Sequence, residues 1–193
     1  SMVDYEFPET LPVAVANSVL IECLSYSGRR LWNLKRQLTV LEEEVVVAAE
    51  GFELDFSSQT SAAPFSIFNS SPVENGWNFV APALQVGYNP VYASNVYTVA
   101  LLSVDLTALP SAQLSFDMEY DTEVDFDFID VFVGDSTGTA VLLLRESGVQ
   151  PLKTFDFDIS EYAGRAGIQV FFRFSSDGNI ETGGVRLERL SIR

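Results

Sequence analysis

The chain has 193 residues, 47% of them hydrophobic, and carries 27 acidic against 11 basic side chains, a net charge of −16 with no histidine. That length holds one domain, or one domain with an appendage, and the apolar content is too high for a disordered chain. The charge repels nucleic acid and anionic lipid, and the lack of imidazole removes Ser-His-Asp triads, Cys-His dyads and His-ligated zinc or iron.

No run is long and apolar enough to insert into a bilayer as a helix. Fifteen phenylalanines and abundant valine suit pleated, half-buried surfaces. The opening Ser1-Met2 reads as a cloning remnant, so the chain is expected to be a piece of a longer protein.

Residues 1–49 differ from the rest and are expected to form a β-rich extension. Val13, Val15, Val19, Ile21 and Cys23 alternate, Ser27-Gly28 supplies a turn, and Trp32, Leu34, Leu38 and Val40 resume the pattern, as in a hairpin. A helical reading stays open beside it, because Leu31, Leu34, Leu38, Leu41 and Val45 are spaced three and four apart for barely two heptads. Cys23 is the single cysteine, so no disulfide closes within the chain. In its apolar run, with no histidine as a base, it reads as a buried structural thiol.

From residue 50 onward the chain reads as all-β. GFELDFSS puts Phe52, Leu54 and Phe56 on one face, and a turn-rich loop delivers Trp77, read as a plug for the core. Leu114, Phe116, Met118 and Tyr120 alternate with Ser115, Asp117, Glu119 and Asp121. Val124, Phe126 and Phe128 then share a face before Ile129, Val131 and Val133 take over, a one-residue slip that implies a bulge or a bent strand. Phe155, Phe157 and Ile159 form a further apolar face. Ile168, Val170, Phe172 and Phe174 form another, and the last strand slips between Val185, Leu187 and Leu190, Ile192. Short strands between Gly, Pro, Asn and Asp turns predict a two-sheet antiparallel jelly-roll sandwich over 50–193.

The ordered segments NGW at 75–77, VDL at 104–106, AQLSFDMEYDTEVDFDFIDVFVGD, FDFDISEYAGRAGIQVFFRFSSDG and GGVRLERLSI resemble the MAM-like and cleaved-adhesin-like jelly-roll modules of secreted bacterial proteins. Each motif is short, but five stand in the family's order across roughly residues 50–193. Two positions depart from the pattern: Glu188 stands where the last motif usually has Asp, and VLLLR replaces the usual Trp after the V-x-V turn. The resemblance implies a non-catalytic accessory binding or adhesion module of an extracellular or cell-surface protein, with a protein or glycan surface ligand. A carbohydrate-binding module and a structural spacer beside a secreted protease are the alternatives.

It also implies a structural calcium between acids on the first and last strands of the module, here Glu53 or Asp55 and Glu188; no cofactor is otherwise required. A second acidic group, Glu123, Asp125, Asp127 and Asp130, lacks the spacing of an EF-hand loop and reads as a solvated outer face. For a sugar ligand, the aromatic platform would come from Tyr88, Tyr92 and Tyr97 with Asn95 beside them, because this stretch also carries Gly87, Asn89, Pro90 and Ser94. Asp177-Gly178 reads as a turn. No pair of carboxylates is singled out for glycoside hydrolysis and no phosphate loop occurs, so no enzyme activity is expected.

Overall fold

The structure, a computed structural model, describes residues 45–48, 50–69, 75–88, 91–135 and 140–193, and the backbone alone of 19–24 and 30–36. The chain divides into two compact units, Ser1–Glu43 and Glu44–Arg193.

In the first unit, β1 (Val19–Leu24) and β2 (Arg30–Arg36) form an antiparallel hairpin, with Val19 opposite Arg36 and Cys23 opposite Trp32. Leu31 and Leu34 both lie in β2. The reading of Cys23 as a buried thiol concerns a side chain outside the described residues.

The second unit is a sandwich of two six-stranded sheets. Its strands are β3 (Val45–Val47), β4 (Phe52–Asp55), β5 (Ser66–Asn69), β6 (Asn78–Val80), β7 (Ala83–Gly87), β8 (Tyr97–Asp105), β9 (Gln113–Asp121), β10 (Phe128–Asp135), β11 (Ala140–Glu146), β12 (Val149–Asp158), β13 (Ile168–Ser175) and β14 (Gly184–Ile192). One sheet runs β11-β10-β13-β8-β3 and the other β12-β9-β14-β7-β6. From β7 onward the chain changes sheet at every step but β10 to β11, as a jelly roll does. Each sheet has a central strand whose free edge is shared by two short partners. β8 takes β5 at 98–101 and β3 at 103–105, and β14 takes β7 at 184–187 and β4 at 189–192. β3 on β8 is the one parallel pair among the described residues; Val45, outside the expected sandwich, stands opposite Ser103.

The inner faces follow the alternation read from the sequence. Ile168, Val170, Phe172 and Phe174 of β13 are fully buried, as are Val185, Leu187, Leu190 and Ile192 of β14, and they join Leu114, Phe116 and Met118 of β9 in one core. Phe116 meets Phe172 edge-on across the two sheets at 5.2 Å and 81°, a favourable arrangement of ring quadrupoles. Trp77 plugs the core at 1% exposure, and its indole N–H donates to the Phe172 carbonyl at 3.0 Å.

The two phase slips have different causes. The slip in β14 is a bulge at Glu188, where the register with β9 moves from Leu187–Met118 to Arg189–Asp117. The slip before β10 is neither a bulge nor a bend within a strand. Residues 124–126 are a turn between β9 and β10, and Val124 and Phe126 stand 60% and 59% exposed. The acidic group here is not a solvated face either. Asp125 is exposed, but Asp127 and Asp130 are fully buried. Asp130 is held by Arg173, whose Nε and Nη2 donate to its Oδ2 at 3.1 and 2.6 Å, with Arg145 3.8 Å away on the other side.

Candidate functional site

Four connections meet at one end of the sandwich: those after β7, β9, β11 and β13. Strand pairing brings them together, since Gly87, Asp121 and Gly184 are neighbours in one sheet and Tyr97 stands opposite Ser175 in the other. The loops are then laced by main-chain bonds. Asn95 N–H donates to the Asp177 carbonyl at 2.6 Å, and Thr122 N–H to the Gly148 carbonyl at 2.8 Å.

Tyr92 sits at the centre of this end, 2% exposed, with its ring edge-on to Phe174 at 5.0 Å. Its hydroxyl donates to Asp127 Oδ2 at 2.5 Å and accepts the Glu123 N–H at 3.2 Å. Burial, then the bond to Asp127, pushes the Tyr92 phenol above its ordinary value. Asp127 Oδ1 accepts the Asp177 N–H at 2.7 Å. Asp177 is itself set by an Asx turn, its Oδ1 accepting the Asn179 N–H at 2.8 Å.

The result is a trio of carboxylates, Glu123, Asp127 and Asp177, with one oxygen from each within 4.8 Å of the others. Glu123 Oε2 is shielded from water and has no hydrogen-bond partner. Burial first, then Asp177, Asp127 and Glu181, pushes the Glu123 carboxyl above its ordinary value. Among the described residues no arginine or lysine pairs with any of the three. Carboxylate oxygens gathered without a cationic side chain are the donor set a hard divalent cation takes.

The calcium ligands expected from the family pattern do not form such a group. Glu53 pairs with Arg193 at 3.2 Å, Asp55 with Arg189 at 3.3 Å, and Glu188 with Arg186 at 3.3 Å. Asp55 also accepts the Ser57 N–H at 2.9 Å, and the bonds from Ser57 hold its carboxyl below the usual range. Each acid already has a guanidinium partner, which a metal ion would have to displace.

The four residues expected to form a sugar platform do not share a surface. Tyr92 is corrected outright, because its ring is in the core. Tyr97 is 47% exposed at the start of β8 and interacts with Arg173 on the neighbouring strand β13, in the sheet opposite to that of Tyr88. Asn95 is exposed at the loop end in left-handed backbone, with φ 56°. Tyr88 lies over Arg186 on the outer face of the β14 sheet, 5.3 Å from ring centre to Cζ. The residues that do converge carry sequence patterns that point elsewhere: Glu123 and Asp127 to a solvated face, Asp177 to a turn. Two strand pairings, β14 with β9 and β13 with β10, carry the 176–183 connection to the 122–127 connection.

No family model and no curated protein matches the sequence. Solved structures do match in fold. The K3 cleaved adhesin domain of Lys-gingipain from Porphyromonas gingivalis W83 superposes with a TM-score of 0.52 at 14% identity, over 74% of this chain and 97% of that domain. The K1 cleaved adhesin domain of the same protein gives 0.52 at 13% identity, with the same coverage. The chain thus has the β-sandwich fold of these adhesin domains.

Proposed function

We propose that the chain is a non-catalytic accessory binding module of an extracellular or cell-surface protein. In this reading, the loops at one end of the sandwich make its contacts, and the Glu123–Asp127–Asp177 trio holds a calcium ion that rigidifies them. The observation that carries it is the trio itself: a fully buried Asp127 and an unpartnered Glu123 oxygen, gathered from two connections with no cationic side chain. A bound hard cation would neutralise this charge and cross-link the β9–β10 and β13–β14 connections. The fold shared with cleaved adhesin domains supports the role. The order of the motifs VDL, LSFDMEYD, DISEYAG and GGVRL supports a finer kinship with MAM-like modules. The absence of histidine supports a binding role over an enzymatic one, and no described helix is long and apolar enough to cross a membrane.

Two measurements test the proposal. Calcium is expected to raise the melting midpoint relative to EDTA, by about 3 kcal/mol of stabilisation at a hundredfold excess over Kd, and Asp127→Asn should abolish the difference. An unchanged midpoint removes the metal. Immobilised chain is then probed with a panel of extracellular-matrix proteins and polysaccharides in calcium and in EDTA. Retention of any of them supports the module reading, and retention of none overturns it.

A further inference from the structure

The outer face of the β12-β9-β14-β7-β6 sheet carries a second constellation, built from different residues than the trio. Gln85, Arg186 and Glu119 stand in one cross-strand row on β7, β14 and β9. Arg186 lies between two acids, with Nη1 donating to Glu119 Oε1 at 2.9 Å and Nη2 3.3 Å from Glu188 Oε1. The next row is Gly87, Gly184 and Asp121, so that β7 and β14 raise no side chain there and β9 raises a carboxylate. Tyr88 follows Gly87 in left-handed backbone, φ 71°, and its half-buried ring covers the Arg186 guanidinium. Farther along β14, the bulge turns Glu188 and Arg189 outward together. With Asp55, Ser57, Pro82 and Asp117 they line a shallow hollow on the same face.

The geometry points to a binding site for a neutral glycan chain along this face, with the Tyr88 ring as the stacking platform and the paired arginines and acids as hydrogen-bond partners for hydroxyls. The proposal rests on reading the chain as a binding module and names the ligand class and the place. A sugar hydroxyl is donor and acceptor at once. A face on which each guanidinium lies beside a carboxylate offers both kinds of partner within a few ångströms. The same pairing leaves neither arginine as a lone cation to select an anion: Arg186 is balanced by Glu119 and Glu188, and Arg189 by Asp55, while Asp117 and Asp121 add further negative charge to the face. The net charge of −16 repels acidic polymers, so charge favours neutral ones. From Arg186 to Arg189 the face extends about two residues of strand rise, roughly 7 Å past the bulge, which leaves room for a second ring in the hollow. Tyr88 is already held against Arg186, so little freedom is lost when a ring stacks on it.

The test is affinity electrophoresis of the whole chain through gels containing galactomannan, mixed-linkage β-glucan or xylan, with polygalacturonate as the acidic comparison. At least one neutral polymer is expected to retard the chain while polygalacturonate does not. Tyr88→Asn should weaken retardation at least about tenfold, since asparagine tolerates the left-handed backbone but presents no ring. Tyr88→Phe should keep it, Glu119→Gln should weaken it, and Phe68→Ala on the other sheet should leave it unchanged. Melting curves establish that each variant is folded. The site is overturned if no neutral polymer retards the chain, if Tyr88→Asn binds as well as the parent, or if polygalacturonate binds equally. Blank gels together with retention of a matrix protein would sink the glycan site and leave the module reading standing. Blank results in both would sink both.

Discussion

Replacing Asp130 with alanine is expected to destabilise the sandwich by about 2–3 kcal/mol, far more than loss of a surface ion pair. Asp130 is 1% exposed and stands in the row Arg145–Asp130–Arg173 across β11, β10 and β13. Two charge-assisted bonds from Arg173 end on Oδ2, and Arg145 lies 3.8 Å from Oδ1. Breaking a buried pair costs about 3–5 kcal/mol when the remaining charge is trapped. Here the arginines are 30% and 49% exposed and can regain water, which brings the loss to the bottom of that range or just below it. In a unit of this size that corresponds to a midpoint roughly 5–10 °C lower.

The assay is urea unfolding followed by tryptophan fluorescence, with Trp77 as the buried reporter, and the slope should match the parent. The double variant Asp130→Leu, Arg173→Leu should recover most of the loss, because it removes both charges together. The reasoning fails if Asp130→Ala costs under about 0.5 kcal/mol, or if the double variant costs the sum of the singles.

Three further outcomes follow from other parts of the molecule. Trp77→Phe should cost about 2–4 kcal/mol in urea unfolding followed by circular dichroism, since it removes the indole bond to the Phe172 carbonyl and opens a void; a cost within about 0.5 kcal/mol of zero would contradict the plug. Gly184→Ala should lower the midpoint by about 10 °C or more, because a Cβ at φ 125° would overlap the Val86 carbonyl and part β7 from β14. In EDTA, the Glu123→Gln variant should melt above the parent at neutral pH, with the gap closing as pH falls toward the carboxylate range. The Glu123 carboxyl is raised in the folded state, so the fold favours its protonated form and the penalty on its charge is lost on acidification. Asp55, Asp105 and Asp158 act in the opposite sense, since hydrogen bonds from Ser57, Thr107 and Ser160, side chain first and then backbone N–H, depress them and their contribution is lost at low pH. A gap that does not change with pH would refute the Glu123 assignment.

Period-two alternation made the core legible, because burial on one face leaves a direct trace in β9, β13 and β14. Trp77 was legible too, as a large apolar side chain delivered by a turn-rich loop. The trio was not, because its members lie in two connections some fifty residues apart and meet only through sheet register. Asp130 misled for a related reason: an acid pointing away from the core is ordinarily solvated, but here Arg173 and Arg145 cover it from both neighbouring strands. Tyr92 misled because a tyrosine among glycine, proline and asparagine looks like a surface residue. Its ring instead closes the core, and only its hydroxyl reaches the polar cluster.

The bulge at Glu188 ties the fold to its outer face. A regular strand through Arg186 and Glu188 would turn Leu190 into water. One extra residue without a partner on β9 returns Leu190 and Ile192 to the core and leaves Glu188 and Arg189 side by side outside. The same irregularity marks where the free edge of β14 changes partner, from β7 at Leu187 to β4 at Arg189. Glu188 is thus spent on the geometry of the sheet, and its carboxylate turns to Arg186 instead of a metal. The proposed calcium and glycan sites would then have separate addresses on one sandwich, the first in buried acids where connections cross, the second on a strand face where both arginines are matched. Loss of one should leave the other intact.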